Sequence, residues 1–193
     1  MLIHNHQIKL VMKKILLAAC LLSGLAAVAQ TEKGSTMVGG SLVLQTGKDV
    51  SNFTLNPSVG VFAANNFALG ADLNLSFSKA GETKINSVGI GPFARYYFGK
   101  TETKPFAITS FNWLNNTTKS GGNEVSTNGF NFLLGMGFAA FVNETVAVEG
   151  ISGYNYSKYK DVDGSSGFTL RFGFQIYFSR HSGQALKKNV LGQ

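Results

Sequence analysis

The sequence predicts an all-β fold: a closed antiparallel eight-stranded transmembrane β-barrel, an up-and-down meander preceded by a cleavable signal peptide. Three observations predict it. Charged residues make up 14% of the chain, against roughly 25% in soluble domains, so little of the surface is built for water. Mean hydropathy is nonetheless only +0.08, far from that of a bundle of membrane helices. Strands reconcile the two values, because each gives every second residue to lipid and the rest to a polar interior. The third observation is the alternation itself, readable in eight segments.

The third segment sets Phe67, Leu69, Ala71, Leu73, Leu75 and Phe77 against Ala68, Gly70, Asp72, Asn74, Ser76 and Ser78. In the fourth, Val88, Ile90, Pro92, Ala94, Tyr96 and Phe98 oppose Ser87, Gly89, Gly91, Phe93, Arg95 and Tyr97. The sixth has Phe130, Phe132, Leu134, Met136, Phe138 and Ala140 on one face and Asn131, Leu133, Gly135, Gly137, Ala139 and Phe141 on the other. In the eighth, Phe168, Leu170, Phe172, Phe174, Ile176 and Phe178 oppose Thr169, Arg171, Gly173, Gln175 and Tyr177. The first two, Met37 to Gln45 and Phe53 to Ala63, are Gly-rich or carry Pro57, and the seventh runs from Val146 to Tyr156. The fifth, Phe106 to Leu114, is inconsistent: Phe106 and Ile108 want one face, Phe111 and Trp113 the other. A bulge between them is the expected remedy.

Connections alternate in length. Asn65-Asn66 and Asn143-Glu144 are tight turns and Gly99 to Lys104 is modest. Thr46 to Ser51, Ser78 to Thr83, Asn115 to Thr127 and Lys158 to Gly167 are mostly longer and rich in Ser, Thr, Gly, Asn and Lys. Outer-membrane barrels pair short periplasmic turns with longer outer loops in this way. An even strand count puts both termini on the periplasmic side. The longest outer loop, Asn115 to Thr127, is the candidate contact for an extracellular ligand.

A soluble ligand-carrying barrel also alternates, with its oily face inward. The charges choose between the two. Within strands they are chiefly Asp72, Arg95, Glu149 and Arg171, each on the small, polar face. In water the Phe, Leu, Val and Ile face would be an aggregating band, so the polar face is the interior. Two interior ion pairs are expected across hairpins, Asp72 with Arg95 and Glu149 with Arg171, or one shared network. Their simplest role is charge neutralisation inside a filled barrel with no open pore. Tyr96, Tyr97, Trp113, Tyr154, Tyr156 and Tyr177 are candidates for the interfacial aromatic girdles.

The first residues read as an export signal. Met12-Lys13-Lys14 precedes an apolar or small stretch from Ile15 to Val28, and Ala27-Val28-Ala29 gives a small-x-small end before Gln30. Cleavage is expected between Ala29 and Gln30, with the true start at Met1 or Met12. The expected division is 1–29 signal peptide, 30–180 barrel and 181–193 a short polar periplasmic tail. Leu17-Ala18-Ala19-Cys20 resembles a lipobox, but counted from Met12 too little apolar sequence precedes it, so ordinary cleavage is preferred. Cys20 is the single cysteine, which excludes a disulfide within the chain. Without Lys9, Lys13 and Lys14 the formal charge falls from +7 to +4, with 14 Lys plus Arg against 10 Asp plus Glu. No basic stripe runs beside stacking aromatics, so no nucleic-acid partner is expected.

Arg171, Gly173, Ile176 and Phe178 form a polar-x-Gly-x-x-hydrophobic-x-hydrophobic pattern in the last strand. It resembles the assembly signal that ends outer-membrane barrel proteins. With the export signal and the Gly-rich interior faces, about four fifths of the chain resembles the small eight-stranded outer-membrane β-barrel family, porin-like proteins similar to the membrane domain of outer membrane protein A. The resemblance implies insertion by the barrel assembly machinery. One departure is the polar segment Ser179 to Gln193 after the last strand, too short for a peptidoglycan-binding domain.

Enzyme chemistry finds little purchase. The histidines are His4, His6 and His181, two in the signal and one in the tail, so a general base for hydrolysis is missing from the barrel. No cofactor or metal is expected: Gly47-Lys48-Asp49 lacks the spacing of a phosphate-binding loop, and Asp161, Asp163 and Gly164 match only part of a calcium loop. The expected protein is a non-enzymatic, monomeric barrel of the cell outer membrane, in contact with its lipid and lipopolysaccharide, with a structural, envelope-integrity or surface-interaction role. The alternatives are a lipid-modifying enzyme of the same fold and a soluble periplasmic ligand-binding barrel.

Overall fold

The computed structural model describes residues 29–179 except 49 and 100; the expected signal peptide, apart from Ala29, and the segment from residue 180 onward lie outside the described residues. After a short 3₁₀ turn, Ala29–Thr31, eight strands follow in chain order. They are β1 Thr36–Thr46, β2 Val50–Ala64, β3 Phe67–Ala80, β4 Thr83–Tyr97, β5 Thr103–Ser120, β6 Asn123–Phe141, β7 Val146–Tyr159 and β8 Ser165–Phe178. Each pairs antiparallel with its neighbour, and β1 pairs with β8 to close the barrel. Among the described residues no helix is long and apolar enough to cross a membrane.

The alternation resolves as lipid outside. Phe168, Leu170, Phe172, Leu134, Met136, Val59 and Ile90 are exposed, Phe168 at 85%. Arg95, Glu149, Gln175, Asn112 and Asn131 are buried in the interior. Such an arrangement is unstable in water and stable in hydrocarbon, where a closed sheet leaves no backbone group without a partner.

The fifth strand differs from expectation. Residues of β5 hold one register against β6 from Thr103–Ala140 to Ser120–Asn123, and no shift interrupts its ladder with β4. Phe106 and Ile108 are buried inside, whereas Trp113 is 60% exposed outside. The conflict disappears because the interior is oily at one end and polar at the other: both faces of a strand accept Phe at that end. A bulge does occur, but in β2, between Phe62 and Ala64.

The far-end connections differ as well. The strands continue through much of the four supposed loops, leaving only 47–49, the two-residue turns Gly81-Glu82 and Gly121-Gly122, and 160–164 between them. Gly121 and Gly122 adopt φ of +57° and +84°, the pair of positive values that a two-residue type I′ hairpin demands. Asn115 to Thr127 is therefore a projecting hairpin, stiffened by cross-strand pairs on its outer face. Asn115 Nδ2 donates to Asn128 Oδ1 at 2.9 Å, Thr117 and Ser126 hydroxyls lie 3.1 Å apart, and Lys119 Nζ meets Glu124 Oε2 at 2.9 Å. Sequence polarity marks water at this height, and water here surrounds strands.

Close strand approach uses glycine where a side chain would collide. A Cβ on Gly91 would overlap the Phe111 carbonyl of the neighbouring strand, while one on Gly167 meets nothing within 4 Å. Gly91→Ala should lower the unfolding free energy by about 1–3 kcal/mol, and Gly167→Ala should leave it nearly unchanged. Urea titrations of the detergent-folded protein, followed by the mobility difference between boiled and unboiled samples, check this; equal midpoints would refute it.

Candidate functional site

Inward-pointing side chains of strands that are not neighbours meet across the cylinder when it is narrow enough, and this decides the geometry of the charged interior. Arg95 on β4 and Glu149 on β7 are both buried, and Arg95 Nη1 lies 2.8 Å from Glu149 Oε2. The other carboxylate oxygen accepts from Tyr177 Oη at 2.9 Å. The Tyr177 and Tyr97 hydroxyls are 3.0 Å apart, and Tyr97 Oη reaches Met37 Sδ at 3.9 Å. The guanidinium is sandwiched between aromatic faces, 5.1 Å from the ring centroids of both Phe93 and Phe106. A buried charge needs such partners on every side.

The expected hairpin pairs are not the ones that form. In register Arg95 stands opposite Ala68, whereas Asp72 stands opposite Gly91, so the two are four positions apart along the wall, about 13 Å. Glu149 stands opposite Gly173 and Arg171 opposite Ile151, a diagonal that leaves Glu149 closer to β4 through the interior. Asp72 is in no ion pair among the described residues, and its Oδ1 has no hydrogen-bond partner. The four residues share one polar layer around a cavity of about 20 Å³, the size that one water fills. Asp72 Oδ1, Arg95 Nε, Asn56 Oδ1 and Gln175 Oε1 in its lining have no protein partner.

Below this layer, at the end where β1 begins and β8 ends, the interior is closed by packed rings. Phe62, Tyr97, Phe106 and Tyr177 are at most 1% exposed. Ring centroids are 5.6 Å apart for Phe62–Tyr97, 5.1 Å for Tyr97–Phe106 and 4.9 Å for Phe141–Tyr177. The segment just before β1 caps them: Asn66 N donates to Thr31 O at 2.7 Å, and Gln30 Nε2 donates to Glu144 O at 2.7 Å. Lys104, buried at this end, donates to Thr31 Oγ1 at 3.4 Å. Above the charged layer the interior widens into a cup of about 310 Å³, lined by Asn52, Asn56, Asn74, Asn131 and Asn155 with Arg171 at its polar wall.

A family model for the outer membrane protein beta-barrel domain matches residues 15–178. The chain belongs to that family. Among solved structures, Neisserial surface protein A is similar at 21% identity and a TM-score of 0.53, over 74% of this chain and 93% of that one. The N-terminal β-barrel domain of Pseudomonas aeruginosa OprF is similar at 13% identity and a TM-score of 0.50, over 76% and 98%. At these identities the likeness is one of fold. No curated protein matches.

In this outer-membrane barrel the predicted girdle residues divide. Tyr96, Trp113 and Tyr154 are exposed on the outer wall, but Tyr97 and Tyr177 are buried inside and belong to the Glu149 network. Their place on the polar faces of β4 and β8 was the signal for this. Lys104, placed by sequence in a connection, lies within β5. Of the last-strand pattern, Gly173 pairs with Ser41 at the closing seam, and Ile176 and Phe178 pair with Val38 and Thr36; Arg171 lines the interior. Ala29 and Gln30 lie in the 3₁₀ turn, with Gln30 buried. Among the described residues no group of three or more His, Cys, Asp or Glu is arranged to hold a metal ion.

Truncating one member of a buried ion pair leaves the other charged and unpartnered, at a cost of about 3–5 kcal/mol. Glu149→Ala should lower urea resistance by about this amount and Glu144→Ala, in a turn, by far less. The double variant Arg95→Met/Glu149→Leu should be more stable than Glu149→Ala, and a double-mutant cycle should couple Glu149 to Arg95 more strongly than to Arg171. Stronger coupling to Arg171 would restore the hairpin pairing.

Proposed function

We propose that this protein is a non-enzymatic, monomeric outer-membrane barrel that contributes to envelope integrity and presents a surface hairpin, with a filled interior that conducts no ions. The observation that carries this reading is the layered interior. A polar cup at the far end leads down to the Arg95–Glu149 pair, and beneath that the Phe62, Tyr97, Phe106 and Tyr177 rings occupy the cylinder. Small eight-stranded barrels have interiors just wide enough for side chains to fill.

The same features bear on the enzymatic alternative. Glu149 is buried with one carboxylate oxygen on the Arg95 guanidinium and the other on the Tyr177 hydroxyl, contacts that hold it as a charge partner and set it apart from a general base within reach of a substrate. The histidines all lie outside the described residues. The lipid-facing band favours a membrane position over the soluble ligand-carrying alternative. On this reading both termini face the periplasm, the β5–β6 hairpin faces outward, and insertion proceeds through the barrel assembly machinery. From Trp113 to Ser120 the hairpin rises roughly 23 Å along the strand, which carries its Lys119–Glu124 tip past the apolar band to the level of Lys84, its partner in register.

The purified protein reconstituted into planar bilayers should add no stepwise conductance. Phe62→Ala combined with Tyr177→Ala, which removes two adjoining rings of the seal, should produce discrete openings. Steady channels from the unaltered protein would overturn the sealed reading.

A further inference from the structure

The outer wall carries a second arrangement that neither the interior nor the hairpin tip explains. Strand register brings Lys79 of β3 directly opposite Lys84 of β4, and Lys84 directly opposite Lys119 of β5. All three are exposed and share the lipid-facing parity of their strands. Like charges directly opposite on one sheet face repel and are unfavourable in themselves. Lys119 is relieved by its ion pair with Glu124. Lys79 and Lys84 are not: among the described residues no carboxylate oxygen lies within 4.0 Å of either ammonium.

Beneath these two ammonium groups the wall is indented. A shallow depression of about 390 Å³ has Leu44, Phe53 and Phe77 as its apolar floor and Lys79, Lys84 and Asn86 along its polar edge. Phe53 and Phe77 stack with ring centroids 6.4 Å apart. On β3 the step from lipid to water is abrupt, since Phe77, 49% exposed, is followed on the same face by Lys79. The depression thus joins a surface for an acyl chain to an unneutralised pair of cations at the level where lipid head groups lie.

We propose that this shelf binds a phosphorylated glycolipid of the outer leaflet, the lipid A part of lipopolysaccharide, with a phosphate bridging Lys79 and Lys84 and an acyl chain on Phe53 and Phe77. Lysine binds phosphate as a point charge from several directions, and a dianion between two ammonium groups turns their repulsion into attraction. The site rests on the outward orientation of the far end given above. It is independent of whether the interior conducts.

The test uses the full-length protein folded in zwitterionic detergent, with bisphosphorylated lipid A, dephosphorylated lipid A and phosphatidylglycerol as probes and native mass spectrometry as the readout. Bisphosphorylated lipid A should be retained, and Lys79→Gln/Lys84→Gln should weaken it roughly tenfold or more. Lys79→Arg/Lys84→Arg should keep most of the binding, as should Lys158→Gln on the opposite wall. Retained heat-modifiability certifies that each variant is folded. Unchanged affinity in the double Gln variant, or equal retention of dephosphorylated lipid A, would overturn the site. Equal retention of phosphatidylglycerol would overturn the choice of lipid A as occupant. None of these outcomes alters the conductance result, so failure of the shelf and failure of the sealed interior are separable.

Discussion

Closure of the sheet is the constraint from which the rest of this structure follows. In hydrocarbon an unpaired N–H or C=O costs several kcal/mol, because no water replaces the lost hydrogen bond. The β1–β8 ladder removes the two edges that eight strands would otherwise present. It spans seven paired positions, Thr36–Phe178 to Leu42–Phe172, against eighteen between β5 and β6. The seam holds at the terminal end and stops short of the far end. Packing follows the same division: the fully buried rings Phe62, Tyr97, Phe106 and Tyr177 gather where the cylinder is stitched all round.

A closed sheet with a lipid-facing outside forces an interior that is narrow and polar at once. Small side chains alone would leave it hollow, and large apolar ones throughout would erase the distinction between faces on which strand register depends. The chain uses both, in layers. At the terminal end the inward positions are apolar or aromatic. In the middle Arg95 is held by Glu149 and by the Phe93 and Phe106 faces. Higher up, Asn and Ser hydroxyl and amide groups bond one another, as when Asn131 Nδ2 donates to Asn155 Oδ1 at 2.8 Å and to Ser157 Oγ at 2.9 Å. The ion pair is thus the boundary between an oily floor and a wet cup, and its charges are tolerated because Arg95 Nη1 and both Glu149 oxygens are directly partnered, while Arg95 Nε faces the small cavity of the polar layer.

Much of this was legible in the sequence, and the parts that were not share a cause. Alternation in β3, β4, β6 and β8 assigns every side chain to its observed face, because period two is a local property. The inward positions of Asp72, Arg95, Glu149 and Arg171 are legible for the same reason. Which of them touch is not. A contact through the interior depends on strand tilt and barrel width, and neither is written along one strand, so Arg95 finds Glu149 across the cylinder instead of Asp72 beside it. Phe106 and Ile108 misled in another way: apolarity was read as lipid, yet the terminal end of the interior is itself apolar. The supposed loop Asn115 to Thr127 shows the reverse error. Its Asn, Thr and Ser report an aqueous height, and only the paired positive-φ glycines at 121 and 122 report the hairpin.

The contrast between the two ends bears on what such a barrel can do. The terminal end buries Gln30, Thr31 and Lys104 against the turn residues Asn66 and Glu144, so a small movement there would break several long-range hydrogen bonds together. At the far end the contacts are ladders between adjacent strands, Thr54 to Ser76 and Thr117 to Ser126 among them, and each can open without disturbing the next. Local stability in a protein tracks how many such contacts must break at once. Rigidity therefore sits at the end that closes the cylinder. Adaptability sits at the opposite end, with the Asn-lined cup, the Lys79–Lys84 pair and the projecting β5–β6 hairpin, where each contact joins only two adjacent strands.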